Sequence, residues 1–215
     1  MSSRRLVSLT FMKLTLTEFV TLDGVYQGPG GPTEDQSGDF RHGGWLVPFF
    51  DDALGQYMVR IFDEVDGFVL GRKTYEIFAG SWPKNTDPDD PIAGRLNTLP
   101  KYVASRSLER ADWHNSTILG GDVVAEVAKL KDQSGRELQI HGSGALAQTL
   151  FDAGLLDTIR LIVFPVVLGS GKRLFADGRA PSSFRLADVT STPSGVTMQT
   201  LEPTGPPEYG EAEVQ

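Results

Sequence analysis

Strand-like and helix-like segments alternate through the middle of this chain, and this alternation constrains its fold more than any other sequence feature. A short buried strand at Gly67–Leu70 and a second strand at Glu137–His141 each lead into a segment with helical spacing, and a similar helical pattern covers Asp122–Lys131. Such alternation predicts a mostly parallel sheet with helices on both faces. The last two strands, Phe184–Thr190 and Val196–Leu201, are joined by a Pro-Ser-Gly turn and predict an antiparallel hairpin. The predicted fold class is therefore α/β.

The length of the chain indicates a single domain. A chain of 215 residues can bury one sizeable core, and we expect the domain over residues 13–202. Residues 1–12 are expected to be an N-terminal extension, because the first strand-like run, Lys13–Leu22, starts only after them. Residues 203–215 are rich in Pro, Gly and Glu and are expected to be a disordered tail. The glycine-rich segment Asp23–Gly44 predicts a long loop, either functional, such as a substrate lid, or disordered.

Composition excludes several classes of function. The chain has no cysteine, which removes disulfides, thiolate metal sites and iron–sulfur clusters, and its three histidines are too far apart in sequence to form a local metal motif. A formal charge of −8 argues against nucleic acid as a partner. There is no apolar run of about 18 residues for a membrane span and no secretory signal. We therefore expect a cytoplasmic protein with a small-molecule partner.

Ligands in open α/β sheets bind outside the carboxyl ends of the strands, and the first candidate site is the turn after the strand that ends at Leu70. Gly71, Arg72, Lys73 and Thr74 begin the next helix. A helix N-terminus offers unpaired N–H groups and a partial positive charge to a phosphate. Two positively charged side chains at the positive end of a helix dipole are destabilising unless a bound anion compensates their charge. Their presence therefore favours an anion-binding site. The alternative is a glycine turn with two solvated basic side chains.

The second candidate site follows the strand at Lys101–Ala104. Ser105 and Arg106 together offer a hydroxyl and a forked guanidinium, which can bind a phosphate monoester such as the 2′-phosphate of NADPH. The alternative, and the better interpretation of this segment taken alone, is a capping serine beside an exposed arginine.

The third candidate site follows the strand that ends at His141. Gly142, Ser143, Gly144, Ala145 and Leu146 form most of a G-x-G-x-x-A pattern, in which glycines let the backbone approach a pyrophosphate. A true Rossmann unit needs an acidic residue about 20 residues further on, and the next strand has none. The segment therefore predicts phosphate binding more strongly than it predicts a Rossmann fold. The histidine itself is more typical of a packed residue at a strand end than of a catalytic base.

These segments occur in an order that resembles a known family. The matching segments are Thr21–Val25, Gly71–Glu76, Ser105–Ser107, Gly142–Gly144 and Phe164–Gly171. They are similar to the C-terminal reductase domain of the bacterial riboflavin-biosynthesis deaminase-reductase (RibD C-terminal) and to its stand-alone dihydrofolate-reductase-like relatives. The resemblance covers nearly the whole chain outside its tails.

The resemblance implies a dihydrofolate-reductase-like three-layer fold that binds NADPH across the strand ends. It implies that the Gly-Arg-Lys-Thr and Gly-Ser-Gly turns hold the pyrophosphate and that Ser105 and Arg106 face the 2′-phosphate. It also implies a homodimer. The chain departs from the family in lacking the zinc deaminase half, and Gly55 stands where dihydrofolate reductases carry the acidic residue that contacts the pterin, which argues against folate reduction.

Reduction of a C=O or C=N group also needs a proton. Asp23 is the first candidate for a catalytic proton donor, because it ends the first strand where the resemblance puts the active cleft. The alternative, of equal weight, is an Asp-Gly turn whose carboxylate caps local N–H groups. The sequence thus predicts an NADPH-dependent reductase of a small organic substrate. A non-catalytic nucleotide-binding protein with the same fold is the main alternative, and a flavin- or nucleotide-dependent enzyme is a weaker one.

Overall fold

Eight strands form one mixed sheet in the computed structural model, which describes residues 11–175 and 177–212. The strands are β1 Lys13–Thr21, β2 Val65–Gly71, β3 Lys101–Ala104, β4 Ser116–Leu119, β5 Glu137–His141, β6 Thr158–Phe164, β7 Ser183–Ser191 and β8 Thr197–Gly205. Their order across the sheet is β4-β3-β2-β5-β1-β6-β8-β7. The first six strands pair in parallel, and β8 pairs antiparallel with both β6 and β7. The predicted parallel sheet with a C-terminal antiparallel hairpin is confirmed.

Within the described residues, five α-helices cover both faces of this sheet. They are α1 Asp52–Asp63, α2 Arg72–Ser81, α3 Pro91–Thr98, α4 Val123–Lys131 and α5 Gly144–Asp152. Three short 3-10 helices lie in the connections at Ser37–Asp39, Val47–Phe49 and Trp82–Lys84. Helices α1, α2 and α3 pack on one face, and α4 and α5 pack on the other. The fold therefore has three layers.

Successive residues of the central strands enter opposite cores. In β2, Phe68 and Leu70 lie in the core under α1–α3, whereas Val69 lies in the core under α4 and α5, and all three are fully buried. Side chains of a strand alternate between the two faces of a sheet. This explains why the consecutive residues Phe68, Val69 and Leu70 of β2 are all apolar.

Aspartates begin three of the helices. Asp51, Asp90 and Asp122 are the N-caps of α1, α3 and α4, and each accepts hydrogen bonds from N–H groups of the first turn. A capping carboxylate satisfies free N–H groups and complements the helix dipole. Asp51 therefore stabilises the N-terminus of α1.

Helix α3 was not predicted from the sequence, in which Asn85–Pro91 reads only as an acidic loop. The structure ends that loop at Asp90 and begins a helix at Pro91. Asp followed by Pro is a known helix start, because the carboxylate caps the first turn and proline needs no N–H partner there.

The expected domain boundaries need small corrections. Strand β8 continues to Gly205, so the expected tail at 203–215 starts three residues too early. Phe11 bridges Ser134, and the Met12 N–H donates to the carbonyl oxygens of Lys131 and Gln133, so the expected extension at 1–12 ends two residues too late. Residues 1–10 and 213–215 lie outside the described residues.

Two segments end earlier than the sequence pattern suggests. Val65 continues the helical spacing of the apolar residues of α1, but it begins β2, because the chain leaves the helix after Asp63. Strand β6 ends at Phe164, although the strand-like pattern continues to Leu168. None of the helices in the described ranges has the length and apolar character that crossing a membrane requires.

Candidate active site

The topology brings the three phosphate-compatible turns to one edge of the sheet. Strands β3, β2 and β5 are neighbours and run in parallel, so the turns that follow them lie side by side. Two hydrogen bonds connect these turns: the Gly71 N–H donates to the Ser143 hydroxyl at 3.0 Å, and the Arg72 guanidinium donates to the Ser107 hydroxyl at 2.7 Å. The three turns therefore form one continuous surface.

A cavity of about 430 Å³ opens at this edge. All the residues predicted for the first and third turns line it: Gly71, Arg72, Lys73, Thr74, Gly142, Ser143, Gly144, Ala145 and Leu146. Its lining also includes the apolar side chains of Leu46, Ile77, Phe78 and Trp82. The nearby Trp45 and Phe49 pack in the core instead. The cavity thus has both polar, backbone-lined surfaces and apolar surfaces.

The two helices that point into this cavity lack side-chain caps. Gly71 is the N-cap of α2 and Ser143 is the N-cap of α5, and neither helix start has a side-chain hydrogen bond or an acidic residue in its first turn. The other three α-helices of the described residues carry capping aspartates. Free N–H groups and the positive ends of two helix dipoles therefore converge on the cavity, which is the arrangement that binds phosphate groups.

Glycines are needed at the start of α5. Gly142 has φ +58°, in the left-handed region that favours glycine. Gly144 lies against the ring of Tyr26, and a Cβ on Gly144 would lie 2.5 Å from the Tyr26 Cζ atom. The ring of Tyr26 therefore occupies the space that a side chain at position 144 would fill, and the turn requires glycine at both positions.

Ser105 and Arg106 do not line the cavity. The Ser105 hydroxyl accepts hydrogen bonds from the N–H groups of Ser107 and Leu108 at 3.3 and 3.0 Å, which is the capping role that the sequence left as the alternative. Arg106 is exposed. Arg72 lines the cavity and donates hydrogen bonds to both Ser107 and Glu76. The turn that contains Ser105, Arg106 and Ser107 therefore lies next to the cavity.

The structure favours the turn interpretation for Asp23, the candidate proton donor. Its carboxylate accepts hydrogen bonds from the Thr21 hydroxyl at 2.6 Å and from the N–H groups of Leu168 and Gly169 at 3.2 and 2.9 Å, and it pairs with Arg173. Burial would raise the pKa of Asp23, but these hydrogen bonds lower it to about 2. Asp23 does not line the cavity. A carboxylate so firmly ionised is a poor acid at neutral pH.

The long loop at 23–44 covers the cavity and is fixed by ion pairs. Asp35, which lines the cavity, lies 2.5 Å from the Lys73 ammonium and 2.7 Å from the Lys172 ammonium. Burial would raise the pKa of Asp35, but hydrogen bonds from Lys172 and Lys73 hold it well below its ordinary value. The Asp35 carboxylate thus lies at the cationic end of the cavity and connects the loop to α2.

Glu18, on β1, also lines the cavity and is only 2% exposed. Its Oε2 atom has no hydrogen-bond partner among the described residues. Burial raises the pKa of Glu18 well above its ordinary value of 4.5, and the charge of Glu34 adds to this effect. Burial in the cavity wall therefore favours the protonated, neutral form of the Glu18 side chain.

His141 is a packed residue, as expected. It lines the cavity but lies among the rings of Phe19, Phe62 and Phe78, with centroid distances of 5.5 to 5.7 Å. Burial lowers its pKa to about 4, so the imidazole is neutral at pH 7.

Sequence reasoning missed several cavity residues, namely Glu18, Tyr26, Glu34, Asp35 and Lys172. One signal was available: Glu18 is an acidic residue within an apolar strand that the topology places in the centre of the sheet. The loop residues carry no comparable pattern, because their position depends on how the loop folds back over the strands.

Comparisons with known proteins agree with this architecture. A family model described as RibD C-terminal domain matches residues 12–198. An uncharacterized Bacillus subtilis (strain 168) protein, YyaP, is 29% identical over 186 residues, which cover 86% of this chain and 91% of YyaP.

Two solved structures share the fold. A putative riboflavin biosynthesis protein from Shewanella sp. PV-4 has a TM-score of 0.69 at 22% identity and covers 90% of this chain and 99% of its own. A Thermotoga maritima diaminohydroxyphosphoribosylaminopyrimidine deaminase/5-amino-6-(5-phosphoribosylamino)uracil reductase has a TM-score of 0.58 at 14% identity, with 90% of this chain and 57% of its own covered.

Proposed function

This chain belongs to the RibD C-terminal domain family, and on that basis we propose that it is a reductase that uses NADPH to reduce a small organic substrate. The family match spans residues 12–198, which include every element that lines the cavity. In this proposal the dinucleotide binds at the polar surface of the cavity, and a flat substrate binds at its apolar surface.

The observation that carries this proposal is the pair of uncapped helix N-termini facing one cavity. A dinucleotide carries a diphosphate, and two free helix starts with Arg72 and Lys73 nearby match its charge. Gly142 and Ser143, which precede α5, line the cavity together with these helix starts. The residues present therefore fit NADPH.

In this proposal the N–H groups at the starts of α2 and α5, with Lys73, hold the diphosphate. Arg106 and the adjacent Ser105 turn hold the 2′-phosphate, and Arg72 extends between the two. The bound nicotinamide supplies a hydride. Since Asp35 pairs with Lys73, the diphosphate competes with that carboxylate for the same cation.

The apolar wall of the cavity orients the substrate and excludes water. Phe78, Trp82 and Leu46 offer ring and alkyl surfaces on which a planar molecule can pack. The Thermotoga maritima relative is named as a reductase of a substituted uracil. We therefore propose a heterocyclic, carbonyl or imine compound as the substrate class.

We also propose that the chain forms a homodimer. Strand β7 is at an edge of the sheet, and its Leu186 and Val189 are 52% and 53% exposed. Light scattering of the purified chain tests this, with a mass of two chains expected and a mass of one chain contradicting it.

Measuring NADPH binding and NADPH oxidation separately tests the proposed function. Nicotinamide fluorescence reports binding, and absorbance reports oxidation in the presence of aromatic aldehydes, cyclic imines and pterins. We expect binding together with oxidation for at least one acceptor. Binding without oxidation across this panel would favour the alternative, a nucleotide-binding protein that is not an enzyme.

A further inference from the structure

Glu18 differs in its surroundings from the other acidic residues near the cavity. Asp35 is paired with two lysines, and Asp23 accepts several hydrogen bonds and pairs with Arg173. Glu34 accepts hydrogen bonds from the N–H groups of Gly30 and Gly31. The Glu18 Oε2 atom, by contrast, is buried without a hydrogen-bond partner, and no ion pair of the described residues includes Glu18.

The other charged groups of the cavity do not neutralise Glu18. The titratable groups that line the cavity with it are Tyr26, Glu34, Asp35, Arg72, Lys73, His141 and Lys172. The ammonium groups of Lys73 and Lys172 pair with Asp35, and Arg72 pairs with Glu76. Glu34 repels a negative charge on Glu18, and His141 is uncharged at pH 7.

A buried carboxyl oxygen without a partner is costly to a folded protein. Groups of this kind, when they face a cavity, are typical of functional sites, where a ligand supplies the missing hydrogen bond. Burial favours the protonated form of the Glu18 carboxyl group, and the O–H of a protonated carboxyl group pairs with a hydrogen-bond acceptor on a neutral ligand.

We propose that Glu18 is the proton donor of this site, with its carboxyl O–H directed to the carbonyl oxygen or imine nitrogen of the substrate. This inference rests on the proposed function. Its distinct content is that a residue of β1, and not Asp23, carries the proton.

The proposed reaction balances with a reduced nicotinamide as the two-electron donor. The substrate carbon gains a hydride, and the electron pair of the C=O or C=N π bond moves to the oxygen or nitrogen. That atom takes the proton from Glu18, which leaves an alcohol or amine and a Glu18 carboxylate. The carboxylate then recovers a proton from water after the product leaves.

The test compares the wild-type chain with Glu18→Gln and with the control Glu64→Gln. Glutamine keeps the size and hydrogen-bonding capacity of the side chain but has no acidic proton. Glu64 is exposed and precedes β2, so it lies at the edge of the sheet opposite the cavity. Carbon-13 NMR of glutamate-labelled protein, assigned with these variants, follows the protonation of the Glu18 carboxyl group with pH.

We expect the Glu18 carboxyl group to remain protonated at pH 7 and both variants to bind NADPH as the wild type does. We expect Glu18→Gln to lower kcat for reduction of aromatic aldehydes and cyclic imines about 100-fold, with Glu64→Gln unchanged. Titration of Glu18 near pH 4.5, or full activity of Glu18→Gln, would overturn the inference while NADPH binding still upholds the proposed cofactor. A wild-type chain that binds NADPH but reduces none of these acceptors would also contradict it. Failure of the wild-type chain to bind NADPH would instead overturn the proposed function itself.

Discussion

The backbone N–H of Gly71 donates a hydrogen bond to the Ser143 hydroxyl at 3.0 Å, although the two residues are 72 positions apart in sequence. This bond joins the end of β2 to the turn after β5. Because Gly71 and Ser143 are also the N-caps of α2 and α5, the bond fixes the two free helix starts relative to each other. The geometry of the proposed diphosphate site therefore depends on a contact between backbone and side chain that can be removed by one mutation.

Replacing Ser143 by alanine tests that dependence. The variant leaves the Gly71 N–H without its partner, so we expect unfolding to become easier by about 1 kcal/mol and NADPH binding to weaken. Urea denaturation and fluorescence titration measure the two effects. Ser182→Ala is the control, because the Ser182 hydroxyl bonds only to the nearby Ala180 carbonyl oxygen in the described structure. Unchanged NADPH affinity in Ser143→Ala would contradict the prediction.

Arg106→Gln tests whether the second turn contacts the 2′-phosphate. A lost charge-assisted hydrogen bond is expected to weaken NADPH binding about 10-fold, with NADH binding unchanged because NADH has no 2′-phosphate. The matched control is Arg110→Gln, which removes an exposed arginine of the same loop that pairs with Asp112. Equal losses for both cofactors would show that Arg106 does not distinguish them.

Asp35→Asn is expected to improve NADPH binding. The carboxylate competes with the diphosphate for Lys73, so its removal should tighten binding by about 3- to 5-fold at low salt. Salt screens these charges, and the gain should shrink as ionic strength rises. Calorimetric titration at two salt concentrations measures both effects. Weaker binding in the variant would mean that Asp35 supports the site.

Lys101 provides a pH-dependent prediction for stability. Its side chain is fully buried, its ammonium donates to the carbonyl oxygens of Leu96 and Leu99, and burial lowers its pKa to about 8. Because the unfolded chain binds more protons at this residue above pH 8, the stability of the wild type relative to Lys101→Met should rise between pH 8 and 10. Denaturant midpoints at several pH values measure this, and a pH-independent difference would contradict it.

Much of the fold follows from local sequence patterns. Strand β2 was predictable because both of its faces are buried, which requires the continuous apolar run of Phe68, Val69 and Leu70. The phosphate-compatible turns were predictable because glycines and cations follow the strands directly. Helix α3 was missed although Asp90 and Pro91 signal its start, since the acidic loop before it dominated the pattern.

The chemistry of the site was less predictable than its location. Asp23 has the position expected of a catalytic acid, but its role depends on Thr21, Leu168 and Gly169, and the last two reach it only in the folded chain. Glu18 stands out in the sequence as an acidic residue of β1, but its raised pKa depends on burial and on Glu34 of the loop. Both properties arise from tertiary contacts that a local pattern does not contain.

The central claim is that two uncapped helix starts and the adjacent arginine turn bind one phosphorylated dinucleotide. Thermal unfolding of the wild-type chain with NADPH or NADH at equal concentration tests it most directly, because a ligand at about 100 times its Kd stabilises a protein by about 2.7 kcal/mol. The account predicts a clearly larger rise in Tm with NADPH than with NADH. Equal shifts, or no shift with either cofactor, would contradict it.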